Sequence, residues 1–313
     1  MPPRAARAAA CRSCRRVPPP STPDTVRPMI KFDLPQAVAS ALDAPSLGER
    51  LQVEAAGIPW SGLAWGDPTA RPLLLIHGVT SSAANWWRLG PAFAASGRRV
   101  VAVDLPGHGR TGHWMGHHRF SDNATDVAAF ARASGLATDG LQVIGHSWGA
   151  MTAAALPSAG LRPARIVLLD PPAVPHAVIS AMAADTDEQT YADIGVARAA
   201  VRRDNPDWVD GDVFAKAEAL TQLDEAAARA VVVDNGDWDG GLAHLADPAA
   251  AGIPVWVVRG EPSAGGLLPD AAIPAIEARI GTGRVITIAG GTHSPHRMHP
   301  RETTAALLRA LDA

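Results

Sequence analysis

Residues 141–156 read as a single piece of local structure: strand, tight turn, helix. Leu141-Gln142-Val143-Ile144 is a short apolar run with the character of a buried strand. Ala150-Met151-Thr152-Ala153-Ala154-Ala155-Leu156 is rich in helix formers. Between them, Gly145-His146-Ser147-Trp148-Gly149 fits the G-x-S-x-G pattern of a nucleophile elbow. Such a turn strains the backbone at the serine, and the flanking glycines let strand and helix approach closely. The Ser147 hydroxyl then projects where a substrate can reach it. The backbone N–H of Trp148, at the helix start, can point at a developing oxyanion. Five residues also match by chance, as a small-residue turn, so the surrounding chain has to supply the context.

A chain of 313 residues has ample length to bury a core. The net charge of -3 gives no case for nucleic acid as a partner. No apolar run approaches the ~20 residues of a membrane span, so no membrane partner is expected. Residues 1–28 differ from the rest, with six arginines, one acid and a Pro-Pro-Pro run. No apolar segment follows the basic residues as in a secretory signal, and the stretch reads as a disordered tail. Met29 opens more ordinary sequence. Both cysteines, Cys11 and Cys14, lie in the tail without strand-helix context or a second pair. Residues 29–313 therefore contain no cysteine, which suits the cytoplasm.

Further along, apolar runs alternate with helical stretches. Leu51–Ala55 and Trp60–Gly66 read as a hairpin, and Pro72–Ile76, Val100–Val103, Leu141–Ile144, Ile166–Leu169, Pro254–Val258 and Arg284–Ile288 as strands. Continuous apolar runs indicate strands covered on both faces. Helices are expected over about 85–95, from a Ser121 or Asp122 cap to about Ser134, over 271–280 and over 302–313. This is an α/β pattern with a mostly parallel sheet. The rhythm breaks between about Ala173 and Val233, an Ala-rich, charged, helical stretch without a convincing strand. It reads as an inserted cap. The expected organisation is 1–28 tail, 29–172 first part of the core, 173–233 helical cap and 234–313 second part of the core.

Four blocks, each at the end of a predicted strand, now stand in order: His77-Gly78, Asp104-Leu105-Pro106-Gly107-His108-Gly109, Gly145-His146-Ser147-Trp148-Gly149 and Gly291-Thr292-His293-Ser294. With them the chain resembles the α/β-hydrolase superfamily over about Leu51 to Ala313. The resemblance implies an eight-stranded sheet flanked by helices, with a lid inserted after the sixth strand. Ligands in such sheets bind outside the carboxyl ends of the strands.

Ser147 is the expected nucleophile, and His293, after the last strand, the expected base. His296 counts as a neighbour. Trp148 supplies one oxyanion N–H, and by resemblance Val79 supplies the other. His77 is expected only to tie loops together by hydrogen bonds. The acid departs from the family pattern, whose usual position falls on Ser263, which cannot orient or charge-stabilise an imidazolium. Asp170, at the end of the sixth strand, and Glu261 are both left open as the acid, with Asp270 behind them. Trp86, Trp87 and Trp114 are candidates for the pocket lining, with core packing as the competing reading. His113 and His117 have i, i+4 spacing, but Gly116 lies between them and no regular carboxylate joins, so no metal is expected. No G-x-G-x-x-G or P-loop appears, and no cofactor is expected.

These residues point to a serine hydrolase that cleaves a small-molecule ester, thioester or lactone through an acyl-enzyme at Ser147. Two alternatives stand beside it. One is hydrolysis of a C–C bond next to a ketone by the same Ser/His pair. The other is a ligand-binding protein that keeps the fold without turnover, a reading raised by the absent acid at position 263. The sequence leaves the oligomeric state open.

Overall fold

A computed structural model describes residues 33–111, 116, 118–184, 190–236, 238 and 245–313. The tail with Cys11 and Cys14, and His113, Trp114 and His117, lie outside the described residues.

Eight strands form one sheet in the order β1-β2-β4-β3-β5-β6-β7-β8. They are β1 (Glu49–Ala55), β2 (Ile58–Trp65), β3 (Arg71–Ile76), β4 (Arg98–Val103), β5 (Gln142–His146), β6 (Arg165–Leu169), β7 (Val255–Arg259) and β8 (Val285–Thr287). β1 pairs antiparallel with β2, and β2 antiparallel with β4; every later pairing is parallel. All eight expected strands are present, and the sheet is mostly parallel as expected.

The apolar runs are continuous because both sheet faces are covered. Successive residues of a strand point to opposite faces. On one face Leu73, Leu75, Val100, Ala102, Ile144, Val167 and Leu169 join a core closed by α1 (Gln36–Asp43), α2 (Leu89–Ala95) and α12 (Pro300–Asp312). On the other, Leu74, Ile76, Val101, Val103, Val143, Ile166 and Leu168 meet α3 (Phe120–Ala133), α4 (Trp148–Ala155) and α10 (Ile273–Ile280).

Two expected helices differ in detail. In place of one helix over 85–95, a 3-10 turn (Ala83–Trp86) precedes α2. Asp104 Oδ1 accepts the Ala83 N–H at 2.7 Å and Ser82 Oγ that of Ala84 at 3.3 Å, which starts the turn early. Neither Ser121 nor Asp122 caps α3, which begins at Phe120 without a side-chain cap of its own. The N–H groups of His118 and Phe120 bond instead to Asp234 Oδ2 and Asn235 Oδ1, each at 2.8 Å.

Between β6 and β7 lie α5 (His176–Ala184), α6 (Ile194–Asp204), α7 (Asp210–Thr221), α8 (Glu225–Asp234) and α9 (Ala246–Ala250). α6 and α7 share a small apolar cluster of Ala197, Val201, Val213, Ala217 and Leu220. The insertion is tied to loops at the carboxyl ends of the strands: Asp224 N–H donates to Gly107 O at 2.8 Å, and Trp87 Nε1 to Asp212 Oδ1 at 2.9 Å. Among the described residues no helix is long and apolar enough to cross a membrane.

Candidate active site

The elbow owes its shape to its glycines. A Cβ on Gly145 would lie 2.1 Å from Gly149 O, and one on Gly149 would lie 2.5 Å from both Ile76 O and His77 O. Only glycine at both positions lets α4 pack this closely on β5 and β3. Between them Ser147 takes φ 55° and ψ -123°, outside the conformations an L-residue prefers. Its N–H bonds to Leu169 O at 3.0 Å, and Ala150 and Met151 return bonds to its carbonyl. Backbone bonds on both sides hold the strained residue in place.

His293 follows β8 in the loop 289–294. His146, inside the elbow, donates Nε2–H to His293 O at 2.8 Å, so the elbow grips the backbone of the histidine that faces it. The donor is clear because a carbonyl oxygen only accepts. His293 Nε2 lies 2.9 Å from Ser147 Oγ, and its Nδ1 lies 2.6 Å from Asp170 Oδ2. A carboxylate likewise only accepts. Nδ1 therefore carries the ring proton, and Nε2 presents its lone pair to the serine hydroxyl.

Asp170 is fully buried at the end of β6, with φ 43°. Its carboxylate also accepts the N–H of Gly260 through Oδ1 and that of Leu267 through Oδ2, both at 2.9 Å. Three donors thus satisfy a charge that would otherwise be costly to bury. The other two acids are engaged elsewhere. Glu261 Oε2 accepts from Gly290 N–H at 2.7 Å and steadies the glycine turn before His293. Asp270 pairs with Arg259. Of the acids left open from sequence, Asp170 is the one in contact with His293. Ser263 sits in a 3-10 turn, Pro262–Ala264.

The loop after β3 closes on the serine from the other side. A Cβ on Gly78 would lie 2.9 Å from Ser147 Cβ, so the Gly78–Val79 segment runs directly against the elbow. His77 Nδ1–H donates to Gly78 O at 2.7 Å, and its Nε2 accepts from Leu105 N–H at 3.0 Å. It ties the loops after β3 and β4 together, as the sequence led us to expect. Burial pushes its pKa down to about 4, so it is neutral. His108, 5.2 Å from the Trp148 ring centroid, is pushed to about 3, chiefly by burial and secondarily by His77. Burial also holds His146 and His296 well below the usual range.

Among the pocket candidates, Trp86 takes the competing core reading. Trp86 is fully buried, packs in the core between sheet and helices, and stacks on His296 at 5.6 Å. Trp148 contributes its backbone at the start of α4, but its indole is also fully buried, behind the loop carrying His77. Trp87 engages Asp212, and Trp114 lies outside the described residues. His296 bonds Asn85 Oδ1 through Nε2 at 3.1 Å and makes no such contact with Ser147. Among the described residues no three of His, Cys, Asp or Glu gather into a metal-holding group.

Residues 73–307 match the profile of the Alpha/beta hydrolase family. The chain belongs to the alpha/beta hydrolase family. Parts of the chain resemble curated proteins. Over 104 residues it is 36% identical to the dihydrolipoyllysine-residue acetyltransferase component of the acetoin cleaving system of Pseudomonas putida, covering 33% of this chain and 27% of that protein. Over 85 residues it is 38% identical to a non-heme chloroperoxidase of Streptomyces lividans, covering 27% of this chain and 30% of that one. The match thus spans less than a third of either relative's length. Among solved structures, E-2-(acetamidomethylene)succinate hydrolase superposes with a TM-score of 0.72 at 22% identity, over 85% of this chain and all of that one, a likeness of fold.

Four residues around this site, Thr80, Asp212, Lys216 and Arg297, were not singled out from the sequence. One signal was available. Only Lys31 and Lys216 are lysines among the chain's 28 Lys and Arg residues, and Lys216 lies in an otherwise Ala-rich helix.

Proposed function

We propose that the protein is a serine hydrolase that cleaves a small-molecule carboxylic ester, thioester or lactone. One observation carries the reading: the continuous relay from Ser147 Oγ through His293 to the buried Asp170 carboxylate, with links of 2.9 and 2.6 Å. Ser147 Oγ attacks the acyl carbonyl while His293 Nε2 takes its proton. Asp170 fixes the tautomer and stabilises the imidazolium. The N–H groups of Val79 and Trp148 receive the negative charge of the tetrahedral intermediate. His293 then protonates the departing alcohol, thiol or hydroxyl arm, leaving an acyl-enzyme. Water attacks it, His293 takes the water proton, and collapse releases the acid and returns the proton to Ser147.

The relay supports turnover over a binding-only role. That alternative rested on the missing acid at position 263, and a carboxylate from β6 reaches His293 Nδ1 instead. The curated relatives, an acetyltransferase component and a chloroperoxidase among them, do not specify the substrate. C–C bond cleavage would use the same pair and is separated by assay with an ester and a 1,3-diketone.

Labelling with a fluorophosphonate, which traps activated serines, tests the proposal. We expect the native protein to label, Ser147→Ala to lose labelling entirely, and Asp170→Asn to label far more slowly. A folded native protein that does not label overturns the activated serine and returns attention to ligand binding.

A further inference from the structure

Helix α7 turns one face toward the site, and two of its charged residues are buried there. Asp212 is 3% exposed and Lys216 is 8% exposed. Their i, i+4 spacing stacks them on the same side of the helix. Each holds a different half of the catalytic constellation.

Lys216 Nζ donates to Thr80 O at 3.0 Å and to Thr80 Oγ1 at 2.8 Å. The Thr80 hydroxyl in turn donates to Val79 O at 2.7 Å. Thr80 has φ 56°, a left-handed conformation that a β-branched residue strongly disfavours. Such a conformation persists where surrounding contacts impose it, and the lysine supplies two of them. The segment held this way includes Val79, to which the proposed function assigns an oxyanion N–H, next to Gly78, which packs against Ser147.

Asp212 reaches the other half. Its backbone carbonyl accepts from Arg297 Nη1 at 3.0 Å, and its carboxylate takes the Trp87 indole N–H. Arg297 lies four residues after His293, in the short helix Pro295–Met298. Its Nη2 donates to Asn85 Oδ1 at 2.6 Å, and its guanidinium stacks over Trp208, just before α7, at 4.3 Å. Gly211 admits the Trp87 ring, since a Cβ there would come within 2.3 Å of it.

We infer that α7 is a positioning element for the reaction: Lys216 sets the oxyanion segment through Thr80, while Asp212 and Arg297 set the loop that carries His293. The inference rests on the serine-hydrolase reading. Its consequence is that the inserted helices and the catalytic geometry are fixed together. Loosening α7 lowers turnover at bound substrate more than it weakens binding, because a displacement of about 1 Å in a reacting group can cost on the order of 100-fold. A contact that merely fastens the insertion to the sheet would lower stability and leave kcat of the folded protein unchanged.

The test compares Lys216→Met, Lys216→Arg, Thr80→Ala and the Lys216→Met/Thr80→Ala double variant. The readouts are kcat and KM for p-nitrophenyl butyrate, affinity for butylboronic acid as a tetrahedral mimic, and amide hydrogen exchange in the segments 77–82 and 142–156. We expect Lys216→Met to lose about 10- to 100-fold in kcat with KM within about threefold, and to lose boronate affinity in step. Lys216→Arg recovers most of the loss, the double variant is no worse than the poorer single one, and exchange quickens in 77–82 alone. A folded Lys216→Met protein with native kcat and native exchange in 77–82 overturns the inference, as does a loss confined to KM. Native protein that labels with fluorophosphonate while Lys216→Met behaves as native refutes this inference and spares the hydrolase reading. If native protein neither labels nor turns over, the hydrolase reading fails, and exchange in 77–82 still decides whether Lys216 holds that segment.

Discussion

Replacing Asp170 with asparagine changes one atom and sets two fixed backbone donors and one histidine N–H against a group that accepts at only one end. In the native site the Gly260 N–H reaches Oδ1, and the Leu267 N–H and His293 Nδ1–H reach Oδ2. If the new NH2 takes the Oδ2 position, it opposes the Leu267 N–H, which the backbone cannot turn away. His293 relieves its own clash by moving its proton to Nε2, where it no longer accepts from Ser147. If the NH2 takes the Oδ1 position, it opposes the Gly260 N–H, and the imidazolium loses its counter-charge. Either orientation leaves a backbone donor unpaired, the buried Gly260 N–H or the part-buried Leu267 N–H, a cost of up to about 1–3 kcal/mol in stability. The catalytic loss is larger. A wrong tautomer in such a relay costs about 10⁴ in rate, equivalent to about 5 kcal/mol of barrier. The assay is kcat/KM for p-nitrophenyl butyrate, with urea denaturation in parallel to confirm folding at the assay temperature. Glu261→Gln is the control, since Glu261 bonds Gly290 rather than His293, and it should stay within about threefold of native. A folded Asp170→Asn protein within tenfold of native, or a Glu261→Gln loss as large as that of Asp170→Asn, would refute the assignment of the acid.

Three further outcomes are expected. Burial depresses His77 to about 4 and His108 to about 3, so the unfolded chain binds more protons there in acid. Their contribution to stability is complete above pH ~6.5, falls by about 1.4 kcal/mol per unit per histidine below that, and levels off beneath each folded value. Urea midpoints should therefore drop steeply between pH 7.5 and 5, and a flat profile contradicts the neutral buried histidines. Trp86→Ala should cost about 3–5 kcal/mol of stability while the KM of the folded protein stays native, because its ring fills core and not pocket; a large KM change with intact stability would restore it to the pocket. Gly78→Ala puts a methyl 2.9 Å from Ser147 Cβ and should cut kcat by on the order of 100-fold, with a smaller effect on the unfolding free energy. Native kcat in that variant would mean the loop after β3 is not held against the nucleophile.

What the sequence determined by itself was whatever local chemistry encodes. Leu73 to Ile76 read as a strand buried on both faces because every residue there is apolar, and the two cores divide those side chains between them. Gly145 and Gly149 marked the elbow because no other residue allows so close a backbone approach, and Ser147 and His293 followed from their places after strands. The acid was different. Asp170 and Glu261 each end a predicted strand, and nothing within either loop says which carboxylate faces Nδ1. That depended on the packing of β6 beside β7, which brings Asp170 against the Gly260 and Leu267 amides while the glycine turn takes Glu261. The start of α3 was likewise out of reach, since its caps come from Asp234 and Asn235 more than a hundred residues away. Trp86 shows the same limit, because an indole suits a pocket and a core equally well until its neighbours are known. Lys216 and Arg297 acquire their meaning only when α7 lies over the site. A contact between residues distant in the chain leaves no trace in the periodicity of either segment, and the bonds of Asp170 to His293 and of Lys216 to Thr80 are both contacts of that kind.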